Sequence, residues 1–77
     1  MKLTIKYFGA LAEVTRCNEE TISFSKGTIG ELVQELTEKY PTLKTKDFQV
    51  AHALEIAKED TEITHSEIAL LPPFSGG

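Results

Sequence analysis

Leu3, Ile5 and Tyr7 alternate with Lys2, Thr4 and Lys6, the period of two that marks a strand with one buried face. Phe8 and Gly9 end it, and Ala10 to Val14 predicts a single helical turn. Thr21 to Phe24 predicts a second strand, with Ile22 and Phe24 on one face and Thr21 and Ser23 on the other. A link of about ten residues makes this a loose hairpin rather than a tight one.

Ser25-Lys26-Gly27 reads as a turn, and Thr28-Ile29-Gly30-Glu31 follows it. Thr28 can cap a helix with its hydroxyl, and Glu31, three residues on, can return a bond to the Thr28 amide. Ile29, Leu32, Val33, Leu36 and Tyr40 then recur at the spacing of one helical face, with Glu31, Glu35, Glu38 and Lys39 toward solvent and Pro41 as the stop. Gly30 weakens the first turn by about 1 kcal/mol relative to Ala, and close approach of the helix to the sheet would explain it. Phe48 to Leu54 predicts a strand, and Glu55 to Ser66 is polar and irregular, with a short strand near Glu62-Ile63. Glu67 to Leu71 is nearly all apolar, which predicts a central strand buried on both faces. Strand, strand, helix, strand, short strand, strand is the order of an α+β fold of the ubiquitin-like β-grasp kind, a mixed sheet with one main helix on one face. The expected division is a domain over 1–71 and an extended tail over 72–77.

Composition narrows the partners. A chain of 77 residues supports one small domain of marginal stability, so a partner protein is expected. The single cysteine, Cys17, excludes an internal disulfide, and Cys17, His52 and His65 lack ligand spacing, so no metal is expected. A formal charge of −4 with eight scattered basic residues argues against nucleic acid. No apolar run approaches the ~20 residues of a membrane span, and the alternating N-terminus is unlike a signal peptide, so a cytoplasmic protein is expected.

The candidate chemistry lies in Leu70-Leu71-Pro72-Pro73-Phe74-Ser75-Gly76-Gly77. Two prolines cannot continue a central strand, because they lack the ladder donor. They favour the extended polyproline conformation, in which six residues project roughly 20 Å. Gly76 and Gly77 have no side chains and can thread a channel too narrow for other residues. An arm that carries its α-carboxylate into another protein's active site implies chemistry at that carboxylate. Gly-Gly alone would equally suit a plain tail; directly after an apolar strand and Pro-Pro it points to function.

With Phe8-Gly9 after the first strand, the capped helix from Thr28, and the ending Ala69 to Gly77, the whole chain resembles the small subunits of molybdopterin synthase, the MoaD-type sulfur carriers. Gly-Gly also fits ubiquitin-like modifiers and the thiamine-pathway carrier, whereas Pro-Pro-x-Ser/Thr-Gly-Gly favours the molybdopterin branch. The chain departs from the family's usual pattern at Ala12 (often Arg), at His52-Ala53 (often Val-Asn) and at Thr64-His65-Ser66 (usually Asp-Gly-Asp). The resemblance implies that a MoeB-type, ubiquitin-activator-like enzyme uses ATP to adenylate Gly77. A persulfide donor then leaves a thiocarboxylate there. That sulfur would attack the cyclic pyranopterin monophosphate held by a MoaE-type large subunit, in a complex of two small and two large subunits, building the dithiolene. The chain would carry sulfur without catalysing and would bind no permanent cofactor. Phe74, on an exposed arm, reads as an anchor for the partner, with Phe8, Leu71, Pro72, Pro73 and Ser75 as further contacts. Cys17 reads as an ordinary loop thiol, His52 as structural or interfacial and His65 as a turn residue. Other readings are a thiocarboxylate carrier for thiamine, tRNA thiolation or tungsten cofactor, and a β-grasp modifier or binding module without sulfur chemistry.

Overall fold

The computed structural model describes residues 1–25 and 27–73. The opening alternation forms β1 (Lys2–Tyr7), with Leu3, Ile5 and Tyr7 buried. Gly9 turns the chain into a short helix, α1 (Ala10–Thr15), longer than the single turn expected. β2 (Glu19–Ser23) returns antiparallel, with Glu19 opposite Lys6 and Ser23 opposite Lys2. The strand expected over Thr21–Phe24 is therefore shifted toward the N-terminus. Cross-strand bonding with β1 decides its limits, and Phe24 is buried just beyond it.

The predicted cap is present. Thr28 Oγ1 accepts from the Glu31 amide at 3.3 Å, and Glu31 Oε1 accepts from the Thr28 amide at 3.0 Å. The helix behind it, α2 (Ile29–Lys39), buries Ile29, Leu32 and Leu36. Pro41 ends it and also opens a 3₁₀ segment, Pro41–Thr45, whose Leu43 is fully buried. A single apolar residue carries no periodicity, so the sequence pattern did not announce this segment.

The third expected strand divides. β3 (Gln49–His52) reverses through Ala53 and Leu54 into β4 (Glu55–Ile56). Both turn residues have positive φ, 55° and 65°, the twist a two-residue hairpin requires. The short strand expected near Glu62-Ile63 is only an isolated antiparallel bridge between Thr28 and Glu62. β5 (Glu67–Leu71) completes a five-stranded sheet in the order β2-β1-β5-β3-β4, parallel to β1 and antiparallel to β3. This is the β-grasp arrangement, and β5 is central in it.

The core lies between α2 and one face of the sheet, where Leu3, Ile5, Ile68 and Leu70 are completely buried with Leu32 and Leu43. The expectation that β5 is buried on both faces is corrected. Ile68 and Leu70 are buried, but Ala69 and Leu71 are half-buried, because no described element covers the second face.

Gly30 has a different use from the one expected. The segment after β4 crosses the start of α2, where the Glu59 carbonyl accepts from the Gly30 amide and the Thr61 carbonyl from the Ile29 amide, each at 2.9 Å. These bonds satisfy donors that a helix start leaves unpaired. A Cβ at Gly30 would lie 3.1 Å from the Glu59 carbonyl oxygen, so the close approach is to this segment rather than to the sheet.

Glu20 ties the far end of α2 to the sheet. Its carboxylate accepts from Tyr7 Oη at 2.5 Å, Tyr40 Oη at 2.7 Å and Lys39 Nζ at 2.5 Å. Burial pushes the Glu20 carboxyl up, but the bonds from Lys39, Tyr7 and Tyr40 outweigh it and hold the group below its ordinary value. Burial and then the Glu20 bond push the Tyr7 hydroxyl up strongly.

Two outcomes follow from these contacts. Gly30→Ala lowers the thermal midpoint, against the gain of about 1 kcal/mol that helix propensity alone would give; a rise would mean that the Glu59 segment moves aside freely. Glu20→Gln destabilises by about 1–2 kcal/mol at neutral pH. A carboxylate lowered by folding contributes stability that is full above its unfolded value of about 4.5 and drains as pH falls through the folded value. Chemical denaturation against pH should therefore show the two proteins converging only below about pH 4.5.

Candidate functional site

Period-two geometry places the residues between the core positions on the opposite face of the sheet. The register aligns Lys6, Ala69, Ala51 and Ile56 across β1, β5, β3 and β4, with Leu71 beside Gln49 one step toward the tail. Ala51 and Ala69 make a low floor, and Ile56 stands at its edge, 52% exposed. Phe8, directly after β1, is 46% exposed, and its amide donates to the Leu70 carbonyl at 3.2 Å. An open apolar surface thus runs from Ile56 over the two alanines to Leu71 and Phe8. The only ion pair across it, among the described residues, joins Lys6 to Glu67 at 3.3 Å, and both groups are well exposed. Such a pair adds little stability.

The tail leaves from the Phe8 end of this surface. Pro72 and Pro73 are exposed, and Pro72 lies over Gly9, whose φ is +58°. Among the expected contact residues, the structure brings Phe8, Leu71 and Pro72 together at one corner, with Pro73 next in the chain. Phe74, Ser75, Gly76 and Gly77, which carry the expected chemistry, lie outside the described residues.

Ile56 joins this surface without having been a sequence candidate, as does Leu54, fully exposed at the hairpin tip. A tight hairpin normally announces itself by Asn-Gly or Asp-Gly. Ala53-Leu54 carries no such signature, so Ile56 read as an isolated apolar residue in a polar stretch. Ala53, Leu54, His65 and Glu67 rim a shallow groove of about 230 Å³ floored by Ala51 and Ala69.

His52 lies on the core side. It is 6% exposed, and its Nε2 accepts from the backbone amides of Thr64 at 3.0 Å and His65 at 3.1 Å. An imidazole nitrogen that accepts carries no proton, so the proton of the neutral ring is on Nδ1. His52 thereby holds the turn that feeds β5, and His65 packs edge-on against it with ring centroids 5.3 Å apart. Cys17 is half-buried, near Thr15 Oγ1 at 3.6 Å. Among the described residues no group of three His, Cys, Asp or Glu could hold a metal ion, and no helix is long and apolar enough to cross a membrane.

Comparison with known proteins agrees with this geometry. The ThiS family model matches residues 5–77. The molybdopterin synthase sulfur carrier subunit of Mycobacterium tuberculosis is 34% identical over 84 aligned positions, covering 100% of this chain and 99% of the relative. Among solved structures, the molybdopterin converting factor subunit 1 of Pyrococcus furiosus superposes with a TM-score of 0.87 at 20% identity, covering 96% of this chain and 99% of that one. SAMP1 of Haloferax volcanii superposes with a TM-score of 0.81 at 25% identity, with full coverage of both chains. The fold is thus that of the ubiquitin-like β-grasp proteins, and the match along nearly the whole sequence establishes that this chain belongs to the ThiS family.

Proposed function

We propose that the chain is the sulfur carrier subunit of molybdopterin synthase. The observation that carries this is its 34% end-to-end identity with the sulfur carrier subunit of M. tuberculosis, in a sequence ending Pro-Pro-Phe-Ser-Gly-Gly. A bare carboxylate resists nucleophilic attack, and adenylation of Gly77 at the expense of ATP supplies a good leaving group. The outer sulfur of a persulfide donor then displaces AMP to form an acyl disulfide. A second thiol cleaves its S–S bond, leaving the donor as a disulfide and Gly77 as a thiocarboxylate whose sulfur is anionic at neutral pH and strongly nucleophilic. That sulfur attacks the cyclic pyranopterin monophosphate in the large subunit, and two such transfers build the dithiolene of molybdopterin.

The chain's own share is presentation. Gly76 and Gly77 thread the partner's channel, Pro72 and Pro73 stiffen the root of the tail, and Phe74 and Ser75 contact the channel wall. Phe8, Leu71 and Ile56 supply the apolar landing. Catalysis and the binding of ATP and pterin belong to a MoeB-type activating enzyme and a MoaE-type large subunit, the latter in a cytosolic assembly of two small and two large subunits. Likeness to the Haloferax protein favours a second reading, in which the same tail serves as a protein modifier or as a carrier for another thiolation pathway.

Mass spectrometry separates these readings. After incubation with ATP, a MoeB-type enzyme and a sulfide source, a carrier has one carboxyl oxygen at Gly77 replaced by sulfur. Isopeptide links to lysines of other proteins, with no sulfur gained, would support the modifier reading instead. Deleting Gly77 leaves the circular dichroism spectrum unchanged and abolishes molybdopterin formation with the large subunit; retained product formation would rule out the proposal. The landing surface has its own readout. Ile56→Lys and Phe8→Ala each weaken binding to a MoaE-type subunit by roughly tenfold or more in titration calorimetry, as loss of a large apolar anchor does, while thermal midpoints stay within a few degrees.

A further inference from the structure

We infer that Gly9 is a positioning residue for the tail, the seat on which Pro72 sets the direction in which the reactive carboxylate leaves the domain. The inference rests on the carrier reading above and adds a residue that touches neither partner nor reacting atoms.

Two independent observations favour glycine at this position. Its backbone, φ +58° and ψ −135°, lies outside the regions open to residues with a Cβ. A Cβ built there would also meet the Pro72 ring, at 3.2 Å from Cγ, 3.8 Å from Cδ and 3.9 Å from Cβ. The proline ring therefore packs closely against the side of Gly9 from which a side chain would project. Gly9 is itself held in place. Its carbonyl accepts from the Ala12 amide at 3.1 Å, the Phe8 carbonyl accepts from the Leu11 amide at 3.1 Å, and the Phe8 amide bonds to Leu70. The seat is thus part of the β1–α1 corner, which α1 anchors through buried Leu11.

Pro72 needs such a seat because the sheet cannot hold it. The β1–β5 ladder pairs residues only as far as Tyr7 with Leu70, and proline has no amide to extend it. Beyond Leu71 the ring packed on Gly9 replaces ladder bonding as the orienting contact. Gly77 follows Pro72 by five positions in the sequence, so the direction set at Pro72 is upstream of the reacting group. Relieving a 3.2 Å contact to ordinary van der Waals distance moves the ring by about 0.3 Å and re-aims the chain that follows it. A misplacement of about 1 Å can cost up to 100-fold in rate when the reacting group must meet a prepared site.

The test is steady-state adenylation by a MoeB-type enzyme, read as ATP–pyrophosphate exchange with the full-length chain as substrate. Gly9→Ala lowers kcat about tenfold with KM nearly unchanged, because docking through Phe8, Leu71 and Ile56 remains while delivery is misdirected; Pro72→Ala, which also removes an expected partner contact, lowers kcat to the same extent. The double variant is no slower than the slower single one, since both remove the same contact. Multiplied losses, a loss confined to KM, or an unchanged kcat in either single variant would overturn the inference. Pro72→Ala keeps the backbone at Gly9 intact, so the question is still answered if Gly9→Ala lowers the thermal midpoint. Absence of exchange with the unaltered chain would instead bring down the carrier reading itself.

Discussion

The parallel ladder between β1 and β5 is the constraint from which the remaining structure follows. It brings the first and last strands of the chain side by side, with Ile5 against Ile68 and Tyr7 against Leu70. Parallel neighbours cannot be joined by a tight turn, so the chain between them must cross over, and α2 lies on that path. The apolar stripe of the helix then covers the face that carries Leu3, Ile5, Ile68 and Leu70. Burying each such side chain contributes about 1.5–3 kcal/mol. The same ladder carries β5 up to the β1–α1 corner, so the root of the tail emerges beside Phe8 and Gly9.

Because a single helical layer covers the sheet, its two faces have different tasks. One is closed by leucine and isoleucine and provides stability. The other carries Ala51, Ala69 and Leu71 with Phe8 and Ile56 at its margins, and is apolar without being covered by any described element. Small residues at its centre and large ones at its rim make a shallow surface suited to a protein partner rather than to a small ligand. For a small domain of marginal stability, separating the faces lets the open face change with little loss from the core.

The parts legible in the sequence are those whose physics is local. Thr28 and Glu31 cap α2 because the two groups lie one turn apart on any helix that begins there. Lys2 to Tyr7 alternates because every strand with one buried face does. The limits of β2 were less legible, since they depend on which residues of β1 stand opposite. Ala53 and Leu54 are unfavourable for a left-handed hairpin turn, by about 1–2 kcal/mol per residue, yet the pairing of Ala51 with Ile56 and His52 with Glu55 holds them there. His52 could be read only as structural or interfacial; its bonds to the Thr64 and His65 amides come from a turn twelve and thirteen residues away.

For the site the division is the same. The Pro-Pro and Gly-Gly of the tail are covalent facts, and the two prolines alone imply a stiff root. That Phe8 and Leu71 share a corner, that Ile56 joins their surface, and that Gly9 seats Pro72 are tertiary facts, because each depends on strand register across residues far apart in the chain. Composition and periodicity by themselves determined a capped helix, a first strand with one buried face and a proline-rooted arm after the last strand. Only the folded chain decided where that arm is rooted and which side chains surround its base, since a hydrophobic pattern specifies which face is buried but not which neighbour buries it.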